Sequence, residues 1–187
     1  VRRVLLLLVL LAACNGDDSP VVSAGDDSTT TSAAATSTVP PASLPVQASA
    51  GSTRAYLKDV RVAGHEGFDR VTFEFEDAAP GYEVAVAQRP VTEDGSGDPV
   101  EVEGVGLVQV RFENAAGARM EGERVVEVYR GPKRVPGGSA ELVEEVVDVG
   151  DFEGVVTWVI GLRETITAAR VTVLSEPHRV VVDIPTA

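Results

Sequence analysis

In the stretch Asp69-Arg70-Val71-Thr72-Phe73-Glu74-Phe75-Glu76, the seven residues from Arg70 alternate between polar and apolar with a period of two. Successive side chains of an extended strand point to opposite faces, so Val71, Phe73 and Phe75 share one face and Arg70, Thr72, Glu74 and Glu76 the other. A helix would scatter the same residues around its axis and bury charge with them. The pattern returns over residues 82–86, after a Pro80-Gly81 turn, and further strands are predicted at 107–112, 125–129, 155–162, 169–174 and 179–184. Residues 56–62 form a first strand with poorer alternation. Residues 142–149 also fit a short helix through Leu142/Val146 and Val143/Val147, but their β-branched content and the Asp148-Val149-Gly150 ending favour a strand. Eight or nine short strands without one long helix predict an all-β domain over 54–187, a two-layer β-sandwich or an open barrel.

Two of these segments, beginning at Arg70 and at Arg179, share the pattern Arg-Val-x-apolar-acid-apolar. Positions i and i+4 lie on one face of a strand. Antiparallel pairing in the matching register would set Arg70 opposite Asp183 and Glu74 opposite Arg179. As exposed pairs, each would contribute about 0.2–1 kcal/mol and fix register more than stability.

The other end of the chain has a different texture. Arg2 and Arg3 precede an apolar run from Val4, which closes on Leu11-Ala12-Ala13-Cys14. A membrane-spanning helix needs ~20 apolar residues, about twice this run, so the segment suits a signal core rather than an anchor. Leu-Ala-Ala-Cys resembles the lipobox of bacterial lipoproteins. The resemblance implies cleavage of residues 1–13, lipidation of Cys14, and a location on the extracytoplasmic face of the cell membrane. Residues 14–53 then form a tether of Ser, Thr, Ala, Asp, Gly and Pro, too poor in large apolar side chains to offset the entropy of ordering.

Charge excludes one class of partner. The chain carries 29 acidic against 16 basic residues, a net charge of −13, and losing Arg2 and Arg3 with residues 1–13 moves it to 14 − 29 = −15. Such a surface lacks the basic footprint that nucleic acid requires. Cys14 is the only cysteine, so no internal disulfide forms. His65 and His178 are the only histidines and show no metal-ligand spacing, so neither a metal nor another cofactor is expected. Ser96 lies in Gly95-Ser96-Gly97, which reads as a hairpin tip rather than a nucleophile's setting. The loop 93–98 gathers Glu93, Asp94 and Asp98 without the spacing of an EF-hand. Glu141, Glu144, Glu145, Asp148, Asp151 and Glu153 read as a solvated strand edge, and mid-strand Trp158 as core. No residue set meets the geometry of a catalytic site, so no catalytic residue is assigned. The one compact basic cluster, Arg130-Gly131-Pro132-Lys133-Arg134, follows Tyr129. An aromatic beside cations makes Tyr129, Arg130, Lys133 and Arg134 the candidate ligand contacts.

Four stretches carry a specific resemblance: Gly67-Phe68-Asp69-Arg70-Val71-Thr72-Phe73-Glu74-Phe75, Pro90-Val91 through Asp94-Gly95-Ser96-Gly97, Gly150-Asp151-Phe152-Glu153-Gly154-Val155-Val156-Thr157-Trp158, and Leu174-Ser175-Glu176-Pro177-His178-Arg179-Val180-Val181-Val182-Asp183. They resemble the AMIN-like domain of actinobacterial lipoproteins, itself similar to the AMIN domain, a β-sandwich found beside cell-wall amidases and in secretins. The resemblance implies a non-catalytic envelope module that engages peptidoglycan or another wall component. The alternatives are an interaction module for a secreted or envelope protein, or an enzyme using its carboxylates on envelope glycans. Cys14→Ser is expected to leave the protein unprocessed or released; wild type recovered from the soluble fraction with its N-terminus beyond Cys14 would contradict the anchor.

Overall fold

The structure, a computed structural model, describes residues 40–186; the expected signal segment 1–13, Cys14 and the tether through residue 39 lie outside the described residues. In chain order the strands are β1 (Ala42–Ser43), β2 (Val46–Ala48), β3 (Ala55–His65), β4 (Phe68–Glu76), β5 (Gly81–Val86), β6 (Val91–Thr92), β7 (Pro99–Val100) and β8 (Gly106–Glu113). They continue as β9 (Ala115–Ala116), β10 (Ala118–Glu121), β11 (Arg124–Glu127), β12 (Arg134–Pro136), β13 (Val143–Phe152), β14 (Val155–Leu162), β15 (Ala168–Ser175) and β16 (His178–Pro185). No helix occurs among the described residues. Two six-stranded sheets, β1-β15-β16-β4-β3-β9 and β12-β13-β14-β8-β5-β2, form the sandwich, and β6-β7 and β10-β11 are separate two-stranded ribbons.

The sheets meet through the apolar faces that alternation defines. Val71, Phe73 and Phe75 of β4 are buried, as are Val110 and Phe112 of β8. The Phe112 ring lies edge-on to Phe73 at 4.9 Å and to Phe75 at 5.0 Å, joining the layers. Quadrupoles favour such edge contacts by about 0.5–1.5 kcal/mol beyond area burial. The second sheet is covered on its other face as well, where Leu107, Val147, Val149 and Val159 pack with Val91 and Val102 from the segment between β5 and β8. Burial on both faces removes the need for alternation, which accounts for the continuous apolar run of β14.

β4 and β16 pair antiparallel in the expected register, Arg70 opposite Asp183 and Arg179 opposite Glu74. The energetics differ from the expectation. Asp183 is 1 % exposed, accepts from Arg70 Nε at 2.7 Å and Nη2 at 2.9 Å, and also faces Arg170 at 3.6 Å. It is a buried bidentate pair, and its hydrogen bonds hold the Arg70 guanidinium still more firmly protonated. Glu74 instead bonds Lys58 and Arg61, while Arg179 Nε donates to the Pro177 carbonyl.

The tether expected over 14–53 gives way to structure earlier than residue 54. Ala42 pairs with Ala169 on one sheet, Val46 with Val84 on the other, and Leu44 packs against the core between them. Pairing of so few residues runs through backbone groups and needs no side-chain pattern. The acidic run is also not uniformly solvated: Glu145 is 7 % exposed and held by Arg134.

Asp69 continues the inward row of Val71 and Phe73 and is fully buried. Its carboxylate accepts the backbone N–H groups of Glu141 (2.9 Å), Leu142 (2.6 Å) and Val143 (2.9 Å), fastening the start of β13 to the opposite sheet. Charge-assisted bonds of this kind contribute about 1.5–3 kcal/mol, and orphaned buried donors cost about 1–3 kcal/mol each. Asp69→Ala is therefore expected to destabilise the domain by about 3 kcal/mol in urea unfolding, against under about 1 kcal/mol for Glu74→Gln; a loss below about 1 kcal/mol for Asp69→Ala would refute the role.

Candidate functional site

A cleft of about 480 Å³ opens where the margin of the core reaches the surface. Its apolar floor comes from both sheets: Leu57 of β3, and Val156 and Trp158 of β14. The charged groups around it come from the segment 127–133 and from β13: Glu127, Arg130, Lys133, Asp148 and Asp151.

The walls are held by backbone. Gly117, between β9 and β10, accepts the N–H groups of Val128 and Tyr129 at 2.8 and 2.9 Å and donates its own N–H to Asp151 Oδ2 at 2.6 Å. Tyr129 packs edge-on to Trp158 with ring centroids 5.4 Å apart, and its hydroxyl donates to the Pro132 carbonyl at 2.7 Å. A β-carbon at position 131 would collide with that hydroxyl, so Gly131 lets the basic loop close over the ring. Burial, reinforced by Asp148 and Asp59, pushes the Tyr129 phenol up to about 12. Trp158 is 1 % exposed, and its indole Nε1 has no hydrogen-bond partner among the described residues. Burial also raises the Asp148 carboxyl, opposed by the Gly150 N–H and by the charge of Lys133.

Three of the four expected contacts, Tyr129, Arg130 and Lys133, line this cleft together. Arg134 does not. β12 places it opposite Val147, and its guanidinium is engaged by Glu145 at 2.7 and 2.9 Å and by the Glu101 carbonyl. Asp148, Asp151, Glu127 and Leu57 were not assigned to a site from sequence, because they reach the cleft from three different strands. Trp158, read as core, serves as both core and floor. The acidic loop 93–98 is a hairpin tip with Gly95 and Gly97 at positive φ. Its carboxylates face different partners: Glu93 accepts from Ser96 Oγ, and Asp94 from Thr157 Oγ1 at 2.6 Å. Among the described residues no three His, Cys, Asp or Glu side chains converge as a metal site.

The fold and the cleft define an all-β domain with one aromatic-floored, mixed-charge groove. A model of the AMIN-like domain matches residues 55–186, and the chain belongs to that family. Comparisons with curated proteins and with solved structures return no match.

The environment of Tyr129 sets a spectroscopic marker. An acid whose neutral form is favoured by the fold titrates late and disfavours folding above its unfolded value. Ultraviolet titration should show a tyrosine ionising near 12 that Tyr129→Phe removes, while Tyr82, also raised by burial, persists; normal ionisation near 10 at Tyr129 would contradict the packing.

Proposed function

We propose that this chain is a non-catalytic module of the bacterial envelope, anchored through a lipid on Cys14, that binds a cell-wall component in the Tyr129 cleft. The observation that carries the reading is the cleft itself, where Arg130 and Lys133 stand over an apolar floor made by Leu57 and Trp158. Muropeptides offer carboxylates, which a guanidinium holds bidentately, and apolar sugar faces, which an aromatic floor accepts. Family membership agrees with an envelope-associated role. With a net charge of −13 over the chain, attraction to polyanions at long range is absent, and contact must be local.

A second reading rests on a separate feature. Met120 and Val125 are cross-strand partners on the β10-β11 ribbon and are 61 % and 69 % exposed, an apolar pair suited to an envelope protein. Sedimentation with purified peptidoglycan distinguishes the two. Wild type should co-sediment, Arg130→Ala/Lys133→Ala should weaken retention about tenfold, and Arg124→Ala, on the ribbon, should not. Equal retention of all three would place the site elsewhere, and no retention of wild type would favour the protein partner.

A further inference from the structure

The charged groups of the cleft stand outside the ion pairs of the domain. Seven arginines are held in ion pairs. None of the five charged groups lining the cleft forms one among the described residues, although both signs are present. Two of the carboxylates are nevertheless fixed in place. Asp148 Oδ1 accepts the Gly150 N–H at 3.0 Å and Asp151 Oδ2 accepts that of Gly117, which leaves each with a second oxygen. Arg130 is steadied through Nε by the Glu127 carbonyl at 3.2 Å, leaving its terminal nitrogens, and Lys133, whose carbonyl accepts the Asp148 N–H at 2.8 Å, keeps its ammonium outside any ion pair among the described residues. Beneath the floor the indole N–H of Trp158 is buried without a partner among the described residues.

We infer that the cleft is a receptor for a zwitterion, a short peptide or peptide-like terminus. Its ammonium sits at Asp148 and Asp151, its carboxylate at Arg130 and Lys133, and its apolar part on Leu57, Val156 and Trp158. The inference rests on the proposed binding role and narrows it to a ligand chemistry. A dianion would satisfy the two cations but face three carboxylates. A dication would meet the reverse conflict. A ligand carrying both charges satisfies both sets of groups at once. A cleft of about 480 Å³ lies within the ~300–1,000 Å³ of small-ligand sites and suits a dipeptide-sized guest.

The probes are alanyl-alanine, its N-acetyl derivative and its C-terminal amide, titrated by NMR into the domain with amide shifts as readout. The free dipeptide should move the amides of 117, 129–133 and 148–151, and capping either end should weaken binding about tenfold. Asp148→Asn should erase the preference for a free amine, and Arg130→Ala/Lys133→Ala the preference for a free carboxylate. Intact amide dispersion certifies the fold of each variant. Equal binding of capped and free dipeptides, or shifts confined to other surfaces, would overturn the inference. Wild type that sediments with peptidoglycan yet responds to none of the probes would overturn it while leaving the wall-binding role standing. Failure with both would remove the two together.

Discussion

Asp69 ends an otherwise apolar inward row with a carboxylate, and three backbone amides at the start of β13 converge on it. The cost of taking that charge out of water is met by donors that a chain entering a strand must in any case satisfy. Because β4 belongs to one sheet and β13 to the other, the contact fixes how the second layer begins relative to the first. The cleft follows from it. β13 leaves this junction and carries Asp148 and Asp151 to the margin where β3 presents Leu57. The cross-sheet aromatics fill the space between, with Phe73 6.2 Å from Trp158 and Trp158 in turn under Tyr129.

The legible part of the fold was the part that obeys a simple period. β4 and β16 carry matching charge positions, and their register could be stated from sequence because two strands with one buried face admit few alignments. β3 and β13 were harder to read for an identifiable reason. β3 shifts register between Leu57 and Asp59, and β13 shifts twice, between Val143 and Glu145 and between Asp148 and Gly150. Each bulge adds a residue and resets which parity faces the core. That is how Val143 and Val147, four residues apart, come to pack in different clusters, Val143 with Val146 between the sheets and Val147 on the outer face. The strands at 42–43 and 46–48 carry too few residues to show any period.

The site divides along the same line. Tyr129, Arg130 and Lys133 are contiguous, so an aromatic followed by cations was visible as a cluster. Asp148 and Asp151 sit on another strand, and only the tertiary fold brings them within one cleft. Arg134 misled because charge says nothing of direction: one position into β12, it turns toward Glu145 and the 101–103 segment. Glu145 was read as a solvated edge for the converse reason. Its partners are Arg134 and the Glu103 N–H at 2.8 Å, and neither neighbours it in sequence.

The segment 40–54 has a consequence for where this domain ends. The family match begins at residue 55, yet β1 lies on one sheet, β2 on the other, and Leu44 reaches the core between them. Asn114, at φ 54, uses its side-chain amide to hold the carbonyls of Gly51 and Thr53, both at 3.0 Å. The stretch that the family model matches is thus shorter than the unit that folds. A fragment excised at the family boundary would lose an edge strand from each layer and leave Asn114 without its acceptors. Residues 42–48 are joined to the sandwich as a clasp across both layers, so the folded unit begins ahead of the matched stretch.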